Sequence, residues 1–296
     1  MRAAYLGPPG TFSHEALRGI ADIDGAETFP LPTIHACVLA VQEGRVDAAL
    51  VPIENSVEGS VSTTLDALVR EAPDLEIAGE ILHPVHHCLV TAGPVEPAAI
   101  ASVHSHPQGI AQCAGFLRRE LPGAALLPAA STAEAVREVA EGESTSVAAI
   151  GSRAAAELYG GHVLRAGIED AEGNETRFAW LAPRGAPPLT ADGPWKTAVV
   201  WWGAGSDSPG WLVRCLSEFA FRGVNLTRIE SRPRRDLGMG EYVFFADLEG
   251  RLADSPVGEA VDGLRAHAHT VRVLGSFPAA GDTASVPRGG SRPRLG

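Results

Sequence analysis

Residues 48–70 read AALVPIENSVEGSVSTTLDALVR, and this stretch indicates the class of the fold. The apolar run 48–51 predicts a buried strand, and residues 63–70 have the apolar spacing of a helix. Residues 54–61, which lie between them, include one asparagine, two glutamates and two serines. Ligands of α/β proteins bind where strand ends meet helix starts, so this is a candidate ligand loop. An ordinary solvated loop is the alternative interpretation.

Short apolar runs alternate with helix-period segments throughout residues 1–182. This alternation predicts an α/β fold with mostly parallel strands. Thr33 and Thr132 stand where a side-chain cap would begin a helix. The predicted strands are 3–6, 27–31, 48–51, 82–90, 101–104, 125–128, 147–150 and 178–181, and the predicted helices are 13–20, 34–42, 63–70, 107–121, 133–141 and 152–159.

A proline-rich segment then divides the chain. Residues 183–194 contain four prolines, which predicts a linker. Residues 195–277 follow the order β-α-β-β-α-β of a ferredoxin-like domain, and the polar composition of residues 278–296 predicts a disordered tail. In the second domain the predicted strands are 196–202, 224–231, 242–248 and 271–277, and the predicted helices are 210–221 and 257–266.

The charge of the chain restricts its partners. The net charge of −12 argues against nucleic acid or an anionic membrane as the main partner. Residues 1–182 hold 24 acidic and 10 basic side chains, so an anionic substrate must meet arginine, backbone N–H groups or helix N-termini there. No apolar run is long enough for a transmembrane helix, and we expect no signal peptide in residues 1–10. The four widely spaced cysteines predict reduced thiols in a cytoplasmic protein.

Three more polar segments lie at predicted strand ends. In YLGPPGTFSHE (5–15), Thr11 or Ser13 can cap a helix and leave first-turn N–H groups for an anion. In VHSHPQ (103–108), Ser105 and His106 precede a proline at a first helical position. Purely structural turns are the alternative for both. Histidine spacing matches no standard zinc site, so we expect no metal.

The third segment is NETRFAWL, at residues 174–181. It places Thr176, Arg177 and Phe178 where a loop becomes a strand. A hydroxyl next to a guanidinium could serve an anionic substrate, because arginine pairs bidentately with carboxylates. Three such residues in isolation are common by chance.

Taken together and in this order, the segments resemble the prephenate dehydratase family over residues 3–277. The pieces that carry the resemblance are GPPGTFSHEA, VPIENSVEGSVSTTLD, HSHPQGIAQC, NETRF and GVNLTRIESRP. The resemblance implies a two-lobed catalytic region at 1–182, similar to a periplasmic-type binding fold, and an ACT regulatory domain at 195–277. We expect the chain to cross between the lobes near 73–80 and 176–181.

The resemblance also implies a reaction and a set of site residues. Prephenate would lose its ring carboxylate as carbon dioxide and its hydroxyl as water, without a cofactor, and yield phenylpyruvate. The implied catalytic residues are Thr176, which would assist departure of the hydroxyl, and Arg177 beside it. The implied substrate-binding residues are Thr11, Ser13, Asn55, Ser56, Ser105, His106 and Phe178.

The ACT resemblance implies an L-phenylalanine site shared between the subunits of a homodimer or homotetramer. Trp211 stands where the family has alanine, and its indole could fill the pocket, reshape it or pack outward. The implied effector residues are Gly210, Leu212, Val213, Asn225, Leu226, Glu230 and Ser231. Arogenate dehydratase, a non-aromatising prephenate decarboxylase and a non-catalytic amino-acid sensor are the alternative functions.

Overall fold

Across residues 1–20, 25–190, 193–203, 208–234 and 241–280, which a computed structural model describes, the chain folds around three β-sheets. Two sheets belong to the first 183 residues and form two lobes. In chain order, their elements are β1 (Arg2–Leu6), α1 (Phe12–Arg18), β2 (Glu27–Leu31), α2 (Ile34–Gln42), β3 (Ala48–Asn55), β4 (Gly59–Ser60), α3 (Ser62–Arg70), β5 (Leu75–Pro84), β6 (Cys88–Thr91), β7 (Ser102–Ser105), α4 (Pro107–Gln112), α5 (Ala114–Glu120), β8 (Ala125–Pro128), α6 (Thr132–Glu141), β9 (Val147–Gly151), α7 (Arg153–Tyr159), β10 (His162–Ala166) and β11 (Glu175–Pro183).

The first lobe has the strand order β2-β1-β3-β11-β5, with β4 paired to β3, and the second has β10-β6-β9-β7-β8. The predicted two-lobed α/β region is therefore confirmed. The prediction of mostly parallel strands is wrong. Strand β11 returns from the second lobe and runs antiparallel to both β3 and β5, and β6 is antiparallel to β9 and β10. Local periodicity does not report the direction of such a returning strand.

The chain crosses between the lobes at different points from those expected. Residues 73–80 lie before and within β5, and residues 176–181 lie within β11, so both ranges belong to the first lobe. The crossings are residues 85–87, between β5 and β6, and residues 167–174, between β10 and β11. The predicted strand 82–90 merged the end of β5 with β6, because the crossing is only three residues long.

Two details of the predicted helices also change. The segment 107–121 is two helices, α4 and α5, that meet at Cys113. The cap of α6 is Ser131, whose hydroxyl oxygen accepts from the backbone N–H of Glu134, and Thr132 is the first helical residue. The predicted cap at Thr33 is confirmed by a 3.0 Å hydrogen bond from the backbone N–H of Ala36.

The C-terminal domain has the predicted β-α-β-β-α-β order and an antiparallel sheet, β13-β14-β12-β15. Helices cover one face of this sheet, around the buried Trp201 and Phe219. The other face, with Val200 and Phe245, packs against α2, α3 and β11 of the first lobe in one continuous apolar core. Its elements are β12 (Trp195–Trp202), α8 (Trp211–Ala220), β13 (Leu226–Pro233), β14 (Tyr242–Glu249), α9 (Ser255–His267) and β15 (Thr270–Pro278).

The segments that flank this domain also contact the first lobe. In the predicted linker 183–194, the backbone N–H of Leu189 donates to the Ala78 carbonyl, and its side chain packs on the first-lobe core. In the predicted tail 278–296, residues 281–296 lie outside the described part of the chain. Among the described residues, no helix is both long enough and apolar enough to cross a membrane.

Candidate active site

Thr176 stands at the start of β11, opposite Asn55 at the end of β3. The Asn55 Nδ2 donates to Thr176 Oγ1 over 3.0 Å and to Asn174 Oδ1 over 2.8 Å. The Asn55 Oδ1 accepts from the backbone N–H groups of Val57 and Glu58, so the orientation of the amide is fixed. The Thr176 oxygen therefore accepts from Asn55, and its own proton stays available for a further acceptor.

A chain of amides continues from Thr176 into the second lobe. The Asn174 Nδ2 donates to Gln112 Oε1 over 3.3 Å, and His87 Nε2 lies 2.9 Å from the same oxygen. The Gln112 Nε2 donates to Glu58 Oε1 over 3.3 Å. Because the Gln112 oxygen can only accept, His87 carries its proton on Nε2. Side chains from both lobes thus meet in one hydrogen-bonded cluster beside Thr176.

Burial and the neighbouring His86 keep His87 neutral. Burial is the largest effect and lowers the pKa of His87, while its hydrogen bond to Gln112 and the charge of Glu169 oppose that shift. Sequence reasoning missed His87, Gln112 and Asn174 as site residues. The last two lie inside the quoted segments HSHPQGIAQC and NETRF, so a signal was present.

Aromatic rings form one wall of the site. The Phe12 ring makes an edge contact with the His87 ring at 5.3 Å between centroids, and lies 6.5 Å from the His83 ring. His83 is directly opposite Thr176 on β5, and its Nε2 lies 3.3 Å from Glu15 Oε2. His83 is a further residue that sequence reasoning did not select.

Phe178 lies behind this wall. Its ring meets His83 at 6.4 Å but is only 1% exposed, so it cannot contact a ligand in this conformation. The predicted substrate contact by Phe178 is therefore corrected to a core role. Period-two alternation puts it on the face of β11 that packs against α1, together with Tyr5, Leu17 and Leu50.

The turn before α1 brings the two lobes together. Thr11 caps α1 by accepting from the His14 backbone N–H, and it donates to the Leu6 carbonyl over 2.9 Å. The Gly10 carbonyl accepts from Ser152 of the second lobe over 2.8 Å. Gly10 has φ +87° and lies where a Cβ would come within 3.0 Å of Ala155, so both its conformation and its space require glycine. Ser13, on the first turn of α1, is buried.

Two polar loops lie next to the site, one at residues 105–106 and one at residue 56, and they differ in which side chains are exposed. Ser105 is fully buried and donates to the Ile150 carbonyl over 2.8 Å, so it joins β7 to β9 and does not face the cleft as predicted. His106 is half-buried and caps α4. Ser56 is exposed, and its oxygen accepts from the backbone N–H of Glu175 over 2.9 Å, which holds the residue before Thr176.

Arg177 corrects the sequence prediction most strongly. Its side chain leaves β11 on the face opposite Thr176, is 8% exposed, and forms ion pairs with three carboxylates. Burial alone would lower the pKa of Arg177, but the three carboxylates outweigh it and raise that pKa. The guanidinium is therefore bound beneath the sheet and does not stand beside the Thr176 hydroxyl. The carboxylates are Glu54, Glu80 and Asp247.

A pocket of about 350 Å³ lies at the start of α8. Trp211 forms part of its lining but is only 4% exposed, and its Nε1 donates to the His267 carbonyl over 2.7 Å. The indole therefore does not pack outward; it is buried in the domain and forms part of the pocket lining. The predicted effector residues that line the pocket are Gly210, Leu212 and Val213.

The effector residues predicted on and before β13 do not line this pocket within one chain. Glu230 turns to the first lobe and pairs with Arg228, and Leu226 packs into the domain core. Ser231 and Asn225 are exposed. Alternation along β13 explains why Glu230 and Ser231 cannot share a face.

Among the described residues, no group of three or more His, Cys, Asp and Glu side chains is placed to hold a metal ion. The described cysteines Cys37, Cys88, Cys113 and Cys215 are buried and unpaired. Burial raises the pKa of Cys37 to about 12 and that of Cys215 to about 11, which disfavours the reactive thiolates.

Comparison with known proteins finds similar proteins over nearly the whole chain. The family model described as prephenate dehydratase matches residues 3–186. A prephenate dehydratase of Mycobacterium sp. strain JLS is 41% identical over 296 residues, covering 97% of this chain and 91% of that protein. Arogenate dehydratase 5, chloroplastic, of Arabidopsis thaliana is 38% identical over 291 residues, covering 94% of this chain and 67% of that protein.

A solved structure gives the same result for the fold. The prephenate dehydratase of Arthrobacter aurescens, solved in complex with L-Phe, superposes with a TM-score of 0.85 at 37% identity, covering 94% of this chain and 90% of the other. The chain therefore belongs to the prephenate dehydratase family.

Proposed function

We propose that this chain converts prephenate to phenylpyruvate, carbon dioxide and water, a step in L-phenylalanine biosynthesis. The observation that carries the proposal is the Thr176 hydroxyl, whose oxygen accepts from a fixed Asn55 amide between the two lobes. The ring carboxylate leaves as carbon dioxide, and its electron pair completes the aromatic ring as the hydroxyl departs. One proton must reach that departing oxygen.

Thr176 supplies a proton donor that carries no charge. Threonine is a weak acid, but water itself has a pKa of about 15.7, so the departing hydroxide is a strong base. A hydrogen bond to this oxygen strengthens as negative charge develops, and positioned proton donation contributes roughly 10²–10⁴ in rate. A carboxylic acid would be ionised at pH 7 and would repel the dianionic substrate.

Neutral donors from both lobes surround this position. We place the substrate between Thr176 and the second-lobe loop at His106, with Asn55 and Ser56 holding the first-lobe side. Glu58 contacts Gln112 and serves to orient it. Phe12 and His83 provide the aromatic wall for the substrate ring in place of Phe178.

The C-terminal domain is proposed as an ACT-type effector domain for L-Phe, since the Arthrobacter aurescens relative was solved with that ligand. One chain supplies the pocket at Gly210, while Ser231 is exposed on the edge strand β13. A second subunit would complete the site, which makes a homodimer or homotetramer the expected assembly. Light scattering tests the assembly, and calorimetry with L-Phe tests the site. We also propose a cytoplasmic location.

Arogenate is the second candidate substrate, because a relative at 38% identity is named an arogenate dehydratase. It carries an ammonium where prephenate has a keto group, so parallel assays with the two compounds separate the activities by kcat/KM. A non-aromatising decarboxylase would release carbon dioxide without phenylpyruvate. An amino-acid sensor would bind L-Phe and turn over neither compound.

The test is to incubate purified protein with prephenate and follow phenylpyruvate by its absorbance in alkali. Thr176→Val removes the hydroxyl at nearly constant volume and should lower kcat by at least about 100-fold. Thr176→Ser retains the hydroxyl and should keep most of the activity. Near-normal turnover by Thr176→Val would refute the role of Thr176, and no phenylpyruvate from the wild type would refute the function.

A further inference from the structure

We propose that Arg177 is a positioning residue that fixes Thr176 to the C-terminal domain through Asp247. This inference rests on the proposed function, because the effect of position is measured as prephenate turnover. The ion pair from Arg177 Nη2 to Asp247 Oδ2 is 2.7 Å long and joins β11 of the first lobe to β14 of the C-terminal domain.

Strands β3 and β11 form two adjacent cross-strand pairs, one in the site and one on the opposite face of the sheet. Asn55 is opposite Thr176 and faces the lobe cleft, whereas Glu54 is opposite Arg177 and faces the C-terminal domain. Glu54 Oε2 lies 3.2 Å from Arg177 Nε. Any movement of the Glu54–Arg177 pair therefore moves the donor and the acceptor of the Asn55–Thr176 hydrogen bond.

A second set of contacts joins Arg177 to the C-terminal domain through Glu80. Arg177 Nη1 donates to Glu80 Oε2 over 3.1 Å, and the other oxygen of Glu80 accepts from Lys196 Nζ over 2.6 Å and from the backbone N–H of Ala280. Lys196, on β12, is the only lysine of the sequence. Glu80 and Asp247 are 6% and 4% exposed, so neither carboxylate could be buried here without its cation.

Close packing makes the junction stiff. Strand β15 approaches β5 at Gly275, where a Cβ would lie 2.1 Å from the Ile77 carbonyl oxygen. Two backbones at this separation cannot slide without losing contact, because protein interiors are close-packed. A displacement of the C-terminal sheet is therefore passed to β5 and β11.

Strand β14 also reaches the proposed effector pocket. Tyr242 and Phe244 line the pocket at the start of α8, and Asp247 follows three residues later on the same strand. Phe244 packs edge-on against Trp211 at 5.7 Å. Ligand binding that shifts β14 would thus act on Arg177 directly. Strand β14 is therefore the element through which the effector pocket and the Thr176 site can influence each other.

The test compares Asp247→Asn, which keeps the shape and removes the charge, with Asp247→Glu, which keeps the charge. We expect Asp247→Asn to lower kcat about 10-fold, with the KM for prephenate changed less than about 2-fold, since a small misplacement of a reacting group costs rate more than binding. Asp247→Glu should retain at least about half of the activity. Any change in kcat caused by saturating L-Phe should be smaller in Asp247→Asn than in the wild type, while calorimetry shows unchanged L-Phe binding.

Asp262→Asn is the matched control, because Asp262 is exposed on α9 and pairs with Arg265 of the same helix. Wild-type turnover is measured first: an inactive wild type refutes the proposed function and this inference with it. An active wild type with an Asp247→Asn variant of equal kcat refutes the positioning role alone. If circular dichroism shows Asp247→Asn unfolded, Arg177→Lys replaces it, with the same kcat-against-KM criterion.

Discussion

Thr176 and Arg177 are neighbours in sequence, yet one faces the cleft between the lobes and the other faces the C-terminal domain. On the cleft face, Thr176 accepts a hydrogen bond from Asn55, and the neutral amides continue from Asn55 through Asn174 to Gln112. On the opposite face, Arg177 lies among the ionised side chains of a buried network. One strand thus separates two kinds of chemistry by a single residue.

The difference follows from what each face must hold. A dianionic substrate is repelled by carboxylates, so neutral donors suit the cleft of a lobe pair that carries excess negative charge. Buried carboxylates need cations beside them, and on this face Arg177 pairs with Glu80 and Asp247 while Lys196 also pairs with Glu80. The same strand can therefore serve catalysis on one face and domain attachment on the other.

The largest contrast should come from removing each of the two neighbours. Arg177→Met leaves Glu80 and Asp247 buried without their shared cation, which should lower the free energy of unfolding by about 3–5 kcal/mol. Thr176→Val should lower it by about 1 kcal/mol, the value of one hydrogen bond, despite its large loss of turnover. Urea denaturation measures both. Equal stability of the two variants would contradict the division between the faces.

The local sequence pattern was sufficient to predict most strands and helices, and to predict that polar loops meet at one site. Strand and helix positions followed from apolar period and caps, and the ordered motifs led to Asn55 and Thr176, which the structure joins by a hydrogen bond. The same period, applied to NETRF, already separates Thr176 from Arg177, because adjacent strand residues face opposite sides. Grouping them by sequence proximity was the error.

Other features depend on contacts that no local pattern contains. The crossing points between lobes, the return of β11 and the meeting of His87 with Gln112 join residues distant in sequence. Phe178 and Ser105 looked like site residues by position, but the core requires their side chains for packing and for a strand-to-strand hydrogen bond. Burial decided their role, and burial is a property of the whole fold.

The next effect tests whether a negative charge next to Thr176 impairs turnover. Asn55→Asp adds a negative charge and replaces the donor to Thr176 with an acceptor, which turns the threonine proton away from the substrate. We expect kcat/KM for prephenate to fall by roughly 100-fold, the cost of removing one preorganised donor. Added salt should restore part of the loss by screening the repulsion. Ser144→Asp, in an exposed loop, adds the same charge elsewhere and should leave kcat/KM unchanged.

A pH effect on stability should arise from His87 on the cleft side. Burial lowers its pKa, so the unfolded chain binds a proton at higher pH than the folded chain does. The stability due to neutral His87 is present above the unfolded pKa of about 6.5 and decreases as pH falls below it. Unfolding free energies measured from pH 7.5 to pH 5 should decrease less for His87→Gln than for the wild type. Parallel curves would exclude this contribution.

The smallest effects should come from two helix caps, one on each side of the first sheet. Thr11 caps α1 beside the cleft, and Thr33 caps α2, which packs in the core shared with the C-terminal domain. Replacement of either by alanine removes its cap hydrogen bond and should lower the unfolding free energy by about 1 kcal/mol. Thr11→Ala also removes the hydrogen bond to the Leu6 carbonyl. Only Thr11→Ala should also raise the KM for prephenate, because its turn contacts the second lobe through Gly10 and Ser152. Steady-state kinetics on the two variants at matched stability measures this difference. A KM that rises equally in both would mean that the two faces of the sheet are not functionally distinct.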